Sequence, residues 1–174
     1  MTGRAAQKAE SVKLVALDVD GVMTDGKLFY QAMSEPEIKP FNIKDGLGIK
    51  LLQRYDIDVA IITGRSSEAL QRRAGDLGIA TVIQSREDKG SALKELLNAK
   101  GLSAAEVAYM GDDLPDLDAL RLAGLATCPN DAVEAVRQCS DWIAPLPGGA
   151  GAVRALADFI LHSQDRLSDA IRTF

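Results

Sequence analysis

The stretch Leu14-Val15-Ala16-Leu17-Asp18-Val19-Asp20-Gly21-Val22-Met23-Thr24-Asp25 constrains the fold more than any other in this chain. Leu14 to Leu17 and Val19 are apolar, and Asp18 alone interrupts them before Asp20. A short apolar run rich in Val and Leu predicts a strand covered on both faces, as in a parallel sheet with helices above and below. The run stops at two carboxylates spaced i, i+2, which share one side of a strand that continues. Gly21 predicts that it breaks into a loop instead. Carboxylates at the end of a buried strand are costly unless paired or bound to a metal. In open α/β sheets that end of the strands is also where ligands bind. The stretch is read as the functional strand, to which the rest of the chain supplies partners.

Further apolar runs follow at 57–62, 81–83, 107–110 and 125–128, with a last short one at Trp142-Ile143. Helical patterns alternate with them, at about 45–55, 66–77, 89–99, 115–123, 131–139 and 152–162. Gly78 and Gly101 are read as helix stops, and Ser103-Ala-Ala-Glu106 and Asp131-Ala-Val-Glu134 as capping boxes. Strands alternating with helices predict βαβ units and a doubly wound parallel α/β sheet. The one excursion is Gly26–Tyr30 and Glu37–Phe41 around the polar turn 31–36, which predicts a β-hairpin at about 26–41. An isolated hairpin is marginal in water, so this one needs its own domain or another subunit to cover it. Residues 1–11 are expected to be a frayed tail, 12–174 a single domain, and 152–174 a C-terminal helix and tail.

With 174 residues the chain suits one domain with a full core. A net charge of −5 argues against a nucleic-acid partner. An anionic substrate must then be held by locally placed Lys, Arg or metal. Cys128 and Cys139 form no disulfide framework or metal spacing, which suits free thiols in a reducing compartment. No apolar run approaches the roughly 20 residues of a membrane helix, and Met1–Ser11 lacks the apolar core of a signal peptide. A cytoplasmic protein with no membrane partner is expected.

Polar groups stand at equivalent strand ends: Asp18 and Asp20 after the first strand, Thr63 after the second, Asp112 and Asp113 after the fourth. Lys89 opens the helix after the third. In a parallel sheet these converge on one edge. The carboxylates offer oxygen ligands to a hard cation, most naturally Mg²⁺, and Thr63 and Lys89 offer donors and charge to a phosphate. Neither G-x-x-x-x-G-K-[ST] nor G-x-G-x-x-G occurs, so a nucleotide-binding reading is weak. Phosphoryl transfer needs charge neutralisation and an in-line nucleophile, and a carboxylate can be that nucleophile.

Asp18-x-Asp20-Gly-Val-x-Thr24, Thr63-Gly64-Arg65, Lys89 and Gly111-Asp112-Asp113-x-x-Asp116 together resemble the four motifs of the haloacid dehalogenase superfamily of phosphatases. The resemblance implies Asp18 as nucleophile and Asp20 as general acid and then base, with Thr63 and Lys89 holding the phosphoryl group. It implies Mg²⁺ on Asp18, the backbone carbonyl of Asp20, and Asp112, with Asp113 orienting a metal-bound water. Asp116 reads as a first-turn carboxylate or a support behind the site.

Neither 21–41 nor 64–88 has room for a cap domain, so the chain resembles the capless subfamily. Asp25-Gly26, Phe41-Asn42-x-x-Asp45-Gly46-x-Gly48 and Gly148-Gly149-x-Gly151-Ala-Val-Arg154 support this; Ala155 departs from it, standing where an acidic residue is expected. The subfamily implies a homotetramer joined through the hairpins, neighbours covering one another's sites. It implies an eight-carbon sugar-acid phosphate as substrate, with a nine-carbon one as alternative, and a place in lipopolysaccharide synthesis. Arg65 is a candidate for the substrate's carboxylate; Arg73, on the same helix, is a weaker functional candidate, and Asn42 and Asp45 are candidates for substrate contact across a subunit boundary; Gly64 shares the Thr63 loop. His162 and Trp142 read as surface or packing residues. A catalytically silent oligomerisation module is the competing reading, against which the intact Asp18, Asp20, Lys89 and Asp112 argue.

Overall fold

A computed structural model describes residues 3–29 and 37–172. In chain order the elements are α1 (Gly3–Glu10), β1 (Leu14–Leu17), α2 (Ile43–Arg54), β2 (Asp58–Ile62), α3 (Glu68–Leu77), β3 (Thr81–Ile83), α4 (Lys89–Lys100) and β4 (Val107–Met110). They continue with α5 (Leu117–Leu122), β5 (Leu125–Cys128), α6 (Glu134–Cys139), β6 (Trp142–Ile143), α7 (Ala152–Ser163) and α8 (Leu167–Arg172). The strands pair in parallel in the order β3-β2-β1-β4-β5-β6. This is the doubly wound arrangement expected. Its order reverses between β1 and β4, the switch point at which such sheets leave a crevice.

The apolar run of β1 is buried on both faces because alternate residues serve two cores. Val15 and Leu17 join Val59, Ile61 and Met110 against α2, α3 and α7. Leu14 and Ala16 join Ala60, Ile62 and Tyr109 against α4, α5 and α6. In register, Leu17 lies beside Ile61 on one side and Met110 on the other. Asp18, Thr63 and the 111–113 loop therefore emerge at one edge.

Several local expectations hold for local reasons. Ser67 caps α3 by accepting from Leu70 N–H, and Gly78 ends that helix at φ 69°. The Ser103–Glu106 box closes a 3₁₀ turn before β4. Trp142 stacks on Phe159 at 4.8 Å between ring centroids, and His162 is exposed.

Two expectations change, and a third falls partly outside the described residues. Residues 3–10 are a helix, not a frayed tail, with Ala5 and Ala9 buried. Lys8 pairs with Asp141 at 2.5 Å, and Gln164 Nε2 donates to the carbonyls of Ala9 and Val12. These anchors come from residues 133 and more positions distant, so no local pattern announces them. Asp131 does not cap α6: its Oδ1 accepts from Gly148 N–H at 3.0 Å, and the helix starts at Glu134. Over the expected hairpin, the turn 30–36 lies outside the described residues, and the described flanks 26–29 and 37–41 carry no strand pairing.

Candidate active site

Lys89, the first residue of α4, lies between two carboxylates. Its Nζ is 2.8 Å from Asp18 Oδ2 and 2.8 Å from Asp116 Oδ1, and all three side chains are buried. Burial, the largest influence on Lys89, works against its ammonium, but the charges of Asp18 and Asp116 outweigh it and raise its pKa. The ammonium therefore stays charged at neutral pH.

Asp116 holds the arrangement together. Its Oδ1 accepts from Lys89 and from the Tyr109 hydroxyl at 2.8 Å. Its Oδ2 accepts from the backbone N–H groups of Asp112 at 3.0 Å and Asp113 at 3.2 Å. Four donors fill what a carboxylate can accept. Asp18, Asp112 and Asp116 can each bring an oxygen within 4.8 Å of the others, but Asp116 has none to spare. That leaves Asp18 and Asp112 for a cation.

Their chemistry fits one. Asp112 Oδ1 is buried without a partner. A Cβ on Gly21 would stand 2.0 Å from Asp112 Oδ2, so only glycine leaves room for that carboxylate. Burial, with the charges of Asp18 and Asp116, pushes Asp112 up to about 8. Burial and the charge of Asp116 push Asp18 up to about 6, against the pull of Lys89. One ammonium cannot balance three crowded carboxylates, whereas a hard divalent cation on oxygen ligands can.

The crevice at the switch point holds about 480 Å³ and is lined by Asp18, Asp20, Thr63, Gly64, Arg65, Lys89, Asp112 and Asp113, among others. The sequence-predicted phosphate and metal residues thus meet in one place. Thr63 is buried at the end of β2 and donates its N–H to Ile83 O. Asp113 Oδ1 accepts from Leu114 N–H, starting the turn that brings Asp116 back beneath the loop.

Asp20 is more closely engaged than the sequence indicates. Lys39 Nζ sits 2.5 Å from its Oδ1, and Arg65 reaches within 3.9 Å of Oδ2. Lys39, Glu37 and Tyr109 escaped the sequence reading. For Tyr109 a signal existed: a phenol inside an otherwise apolar strand needs a buried partner. Lys39 and Glu37 belong to a polar segment whose destination no spacing reveals.

Asn42 and Arg73 do not line the crevice. Asn42 caps α2, its Oδ1 accepting from Lys44 N–H, while its Nδ2 donates to Gly149 O at 3.1 Å. Arg73 donates to Asn42 O and lies over the Phe41 ring. Asp45 Oδ1 accepts from Arg154 N–H at 2.8 Å. A Cβ on Gly48 would come within 2.9 Å of Arg154 Cα. The Asn42–Gly48 and Gly148–Arg154 patterns are therefore two halves of one α2–α7 junction. The Gly148-Gly149 turn in its turn packs on the loop after β1, Gly149 N–H donating to Val22 O.

Comparison with known proteins sets this site in a class first. The haloacid dehalogenase-like hydrolase family model matches residues 77–156, a span that holds Lys89 and the whole 111–116 loop. Curated relatives narrow it. The 3-deoxy-D-manno-octulosonate 8-phosphate phosphatase KdsC of Haemophilus influenzae is 43% identical over 162 residues, covering 93% of this chain and 89% of the relative. The Yersinia pestis KdsC is 43% identical over 164 residues, covering 94% and 87%. A crystal structure of the Moraxella catarrhalis phosphatase, in complex with magnesium ion, phosphate ion and KDO, superposes with TM-score 0.97 at 42% identity, covering 100% of this chain and 99% of that one. This chain belongs to the 3-deoxy-D-manno-octulosonate 8-phosphate phosphatase family of haloacid dehalogenase-like hydrolases.

Proposed function

We propose that the protein is a Mg²⁺-dependent phosphatase that hydrolyses 3-deoxy-D-manno-octulosonate 8-phosphate to the free sugar acid and inorganic phosphate. The observation that carries the reading is Lys89 Nζ held 2.8 Å from Asp18 Oδ2, in a crevice that Asp20, Asp112 and Asp113 also line. Lys89 orients the Asp18 carboxylate and leaves its other oxygen free to attack phosphorus. The relatives' substrate, and the magnesium and phosphate bound in the Moraxella catarrhalis enzyme, support the same chemistry.

Asp18 and Asp112, with the backbone carbonyl of Asp20, would hold Mg²⁺, which supplies neutralising charge to the phosphoryl oxygens. An Asp18 oxygen attacks phosphorus and the bond to the sugar oxygen breaks, giving an aspartyl-phosphate. Asp20 gives its proton to that departing oxygen. It then takes a proton from the water that attacks the aspartyl-phosphate, releasing phosphate and restoring both carboxyl groups. Lys89 and the Thr63 hydroxyl bind the phosphoryl oxygens as charge develops on them. Arg65, in the same crevice, binds the substrate's carboxylate.

The test is phosphate release with Mg²⁺ across sugar phosphates that include the eight- and nine-carbon keto acids. A large kcat/KM preference for the eight-carbon substrate, abolished by Asp18→Asn, is expected. Equal low rates on all would discard the substrate. Undiminished turnover in the variant would discard the nucleophile.

The reading extends to assembly. Leu28, Phe29, Ile38 and Ile43 are 45%, 55%, 62% and 82% exposed on and beside the predicted hairpin. Apolar side chains gathered on one segment suit burial against further copies, here a homotetramer in the cytoplasm. Among the described residues no helix is long and apolar enough to cross a membrane.

A further inference from the structure

We infer that Glu37 is a positioning residue for substrate recognition: it holds Arg65 ready for the sugar acid's carboxylate. The inference rests on the assignment of Arg65 made above. Glu37 lies 28 positions from Arg65 in sequence, yet its Oε1 accepts from Arg65 Nη2 at 3.3 Å. Its other oxygen, Oε2, accepts from the Ser67 hydroxyl.

Ser67 is itself fixed. Its hydroxyl accepts from Leu70 N–H at 3.2 Å as the α3 cap, and its N–H donates to Gln84 Oε1 at 2.7 Å. One oxygen of Glu37 is thus tied to a rigid helix start and the other to a long, flexible cation. A carboxylate beside that helix start is further favoured by the unsatisfied N–H groups there. Lys39 completes the group, 3.8 Å from Glu37 Oε1 and 2.5 Å from Asp20 Oδ1.

The placement distinguishes support from competition. Arg65 lines the crevice and its side chain is 47% exposed, whereas Glu37 is not among the lining residues. Glu37 therefore meets the guanidinium from outside the crevice. It engages one nitrogen rather than gripping the guanidinium as a fork, and Asp20 Oδ2, 3.9 Å from Arg65 Nη1, is beyond hydrogen-bond reach, so Arg65 keeps donors for the substrate's carboxylate. An unheld arginine would have to be ordered when substrate arrives. Ordering one such side chain beforehand is worth about three- to tenfold in affinity.

Glu37→Gln removes the charge that holds Arg65 while leaving an acceptor for Ser67. The experiment is steady-state kinetics of the intact enzyme with Mg²⁺ for wild type, Glu37→Gln, Arg65→Met and the double variant. Each is assayed on 3-deoxy-D-manno-octulosonate 8-phosphate and on p-nitrophenyl phosphate, which has no carboxylate. Glu37→Gln is expected to raise KM for the sugar acid about three- to tenfold, with kcat and the KM for p-nitrophenyl phosphate moved far less. In the Arg65→Met background it should add nothing. If Arg65→Met raises KM and Glu37→Gln does not, this inference alone is overturned. A lower KM in Glu37→Gln would mean that Glu37 competes with substrate, which also overturns it. If Arg65→Met leaves KM unchanged, the assignment of Arg65 fails and the inference falls with it.

Discussion

Tyr109→Phe isolates one hydrogen bond beneath the site. The phenol donates to Asp116 Oδ1 at 2.8 Å, and both residues are fully buried. Phe keeps the ring and its packing, so the cavity left is only that of a hydroxyl. A bond to a charged group is worth about 1.5–3 kcal/mol. Three donors remain on Asp116, which argues for about 2 kcal/mol. For a chain of this length that lowers the melting temperature by about 4–8 °C. The kinetic effect follows the same path, because Asp116 sets where Lys89 Nζ stands against Asp18. Displacement by a fraction of an ångström should lower kcat about tenfold with little change in KM. Calorimetry and steady-state kinetics on the purified variant are the assays. An unchanged melting temperature together with an unchanged kcat would refute the argument that the phenol holds Asp116.

Two further predictions follow from the same geometry. Asp18 at about 6 and Asp112 at about 8 both lie above the unfolded carboxylate value. The stability they contribute is therefore complete at low pH and lost as pH rises through 6 and then 8. Glu106, held down at about 2 by Lys13, is ionised in both states above pH 5 and leaves that window undisturbed. Metal-free protein should melt at progressively lower temperature from pH 5 to pH 8, and Mg²⁺ should raise the melting temperature more at pH 8 than at pH 5. A metal-free profile that is flat over that range would contradict the crowding of carboxylates. Light scattering should find a species of about four subunits; a monomer would leave the exposed Leu28, Phe29, Ile38 and Ile43 without a purpose.

Residues at strand ends were legible from sequence because their signals are local. β1 reads as buried on both faces from four consecutive apolar residues, and the structure divides those same residues between two cores. The convergence of Asp18, Thr63, Lys89 and Asp112 follows once the strands are parallel. Longer-range choices were not legible. Asp131 has the spacing of a helix cap, but Gly148 N–H takes its carboxylate first. Asn42 and Arg73 have the chemistry of substrate ligands, but within the chain Asn42 caps α2 and donates to Gly149 O, and Arg73, on α3, donates to Asn42 O. Helix α1 reads as tail because only two alanines of it are buried, and the groups that anchor it lie near the other end of the chain.

The sequence by itself determined the strand–helix alternation, the edge at which the site forms, and the residue types that make it a phosphoryl-transfer centre. Periodicity and spacing act within a few residues, and that is enough to fix those features. Only the tertiary structure decided that Asp116 is saturated by four donors while Asp112 keeps a free buried oxygen. It alone brought Glu37 to Arg65 and Lys39 to Asp20. Which carboxylate meets which cation depends on how distant segments pack, and a side chain's role is set by the partner that reaches it in that packing.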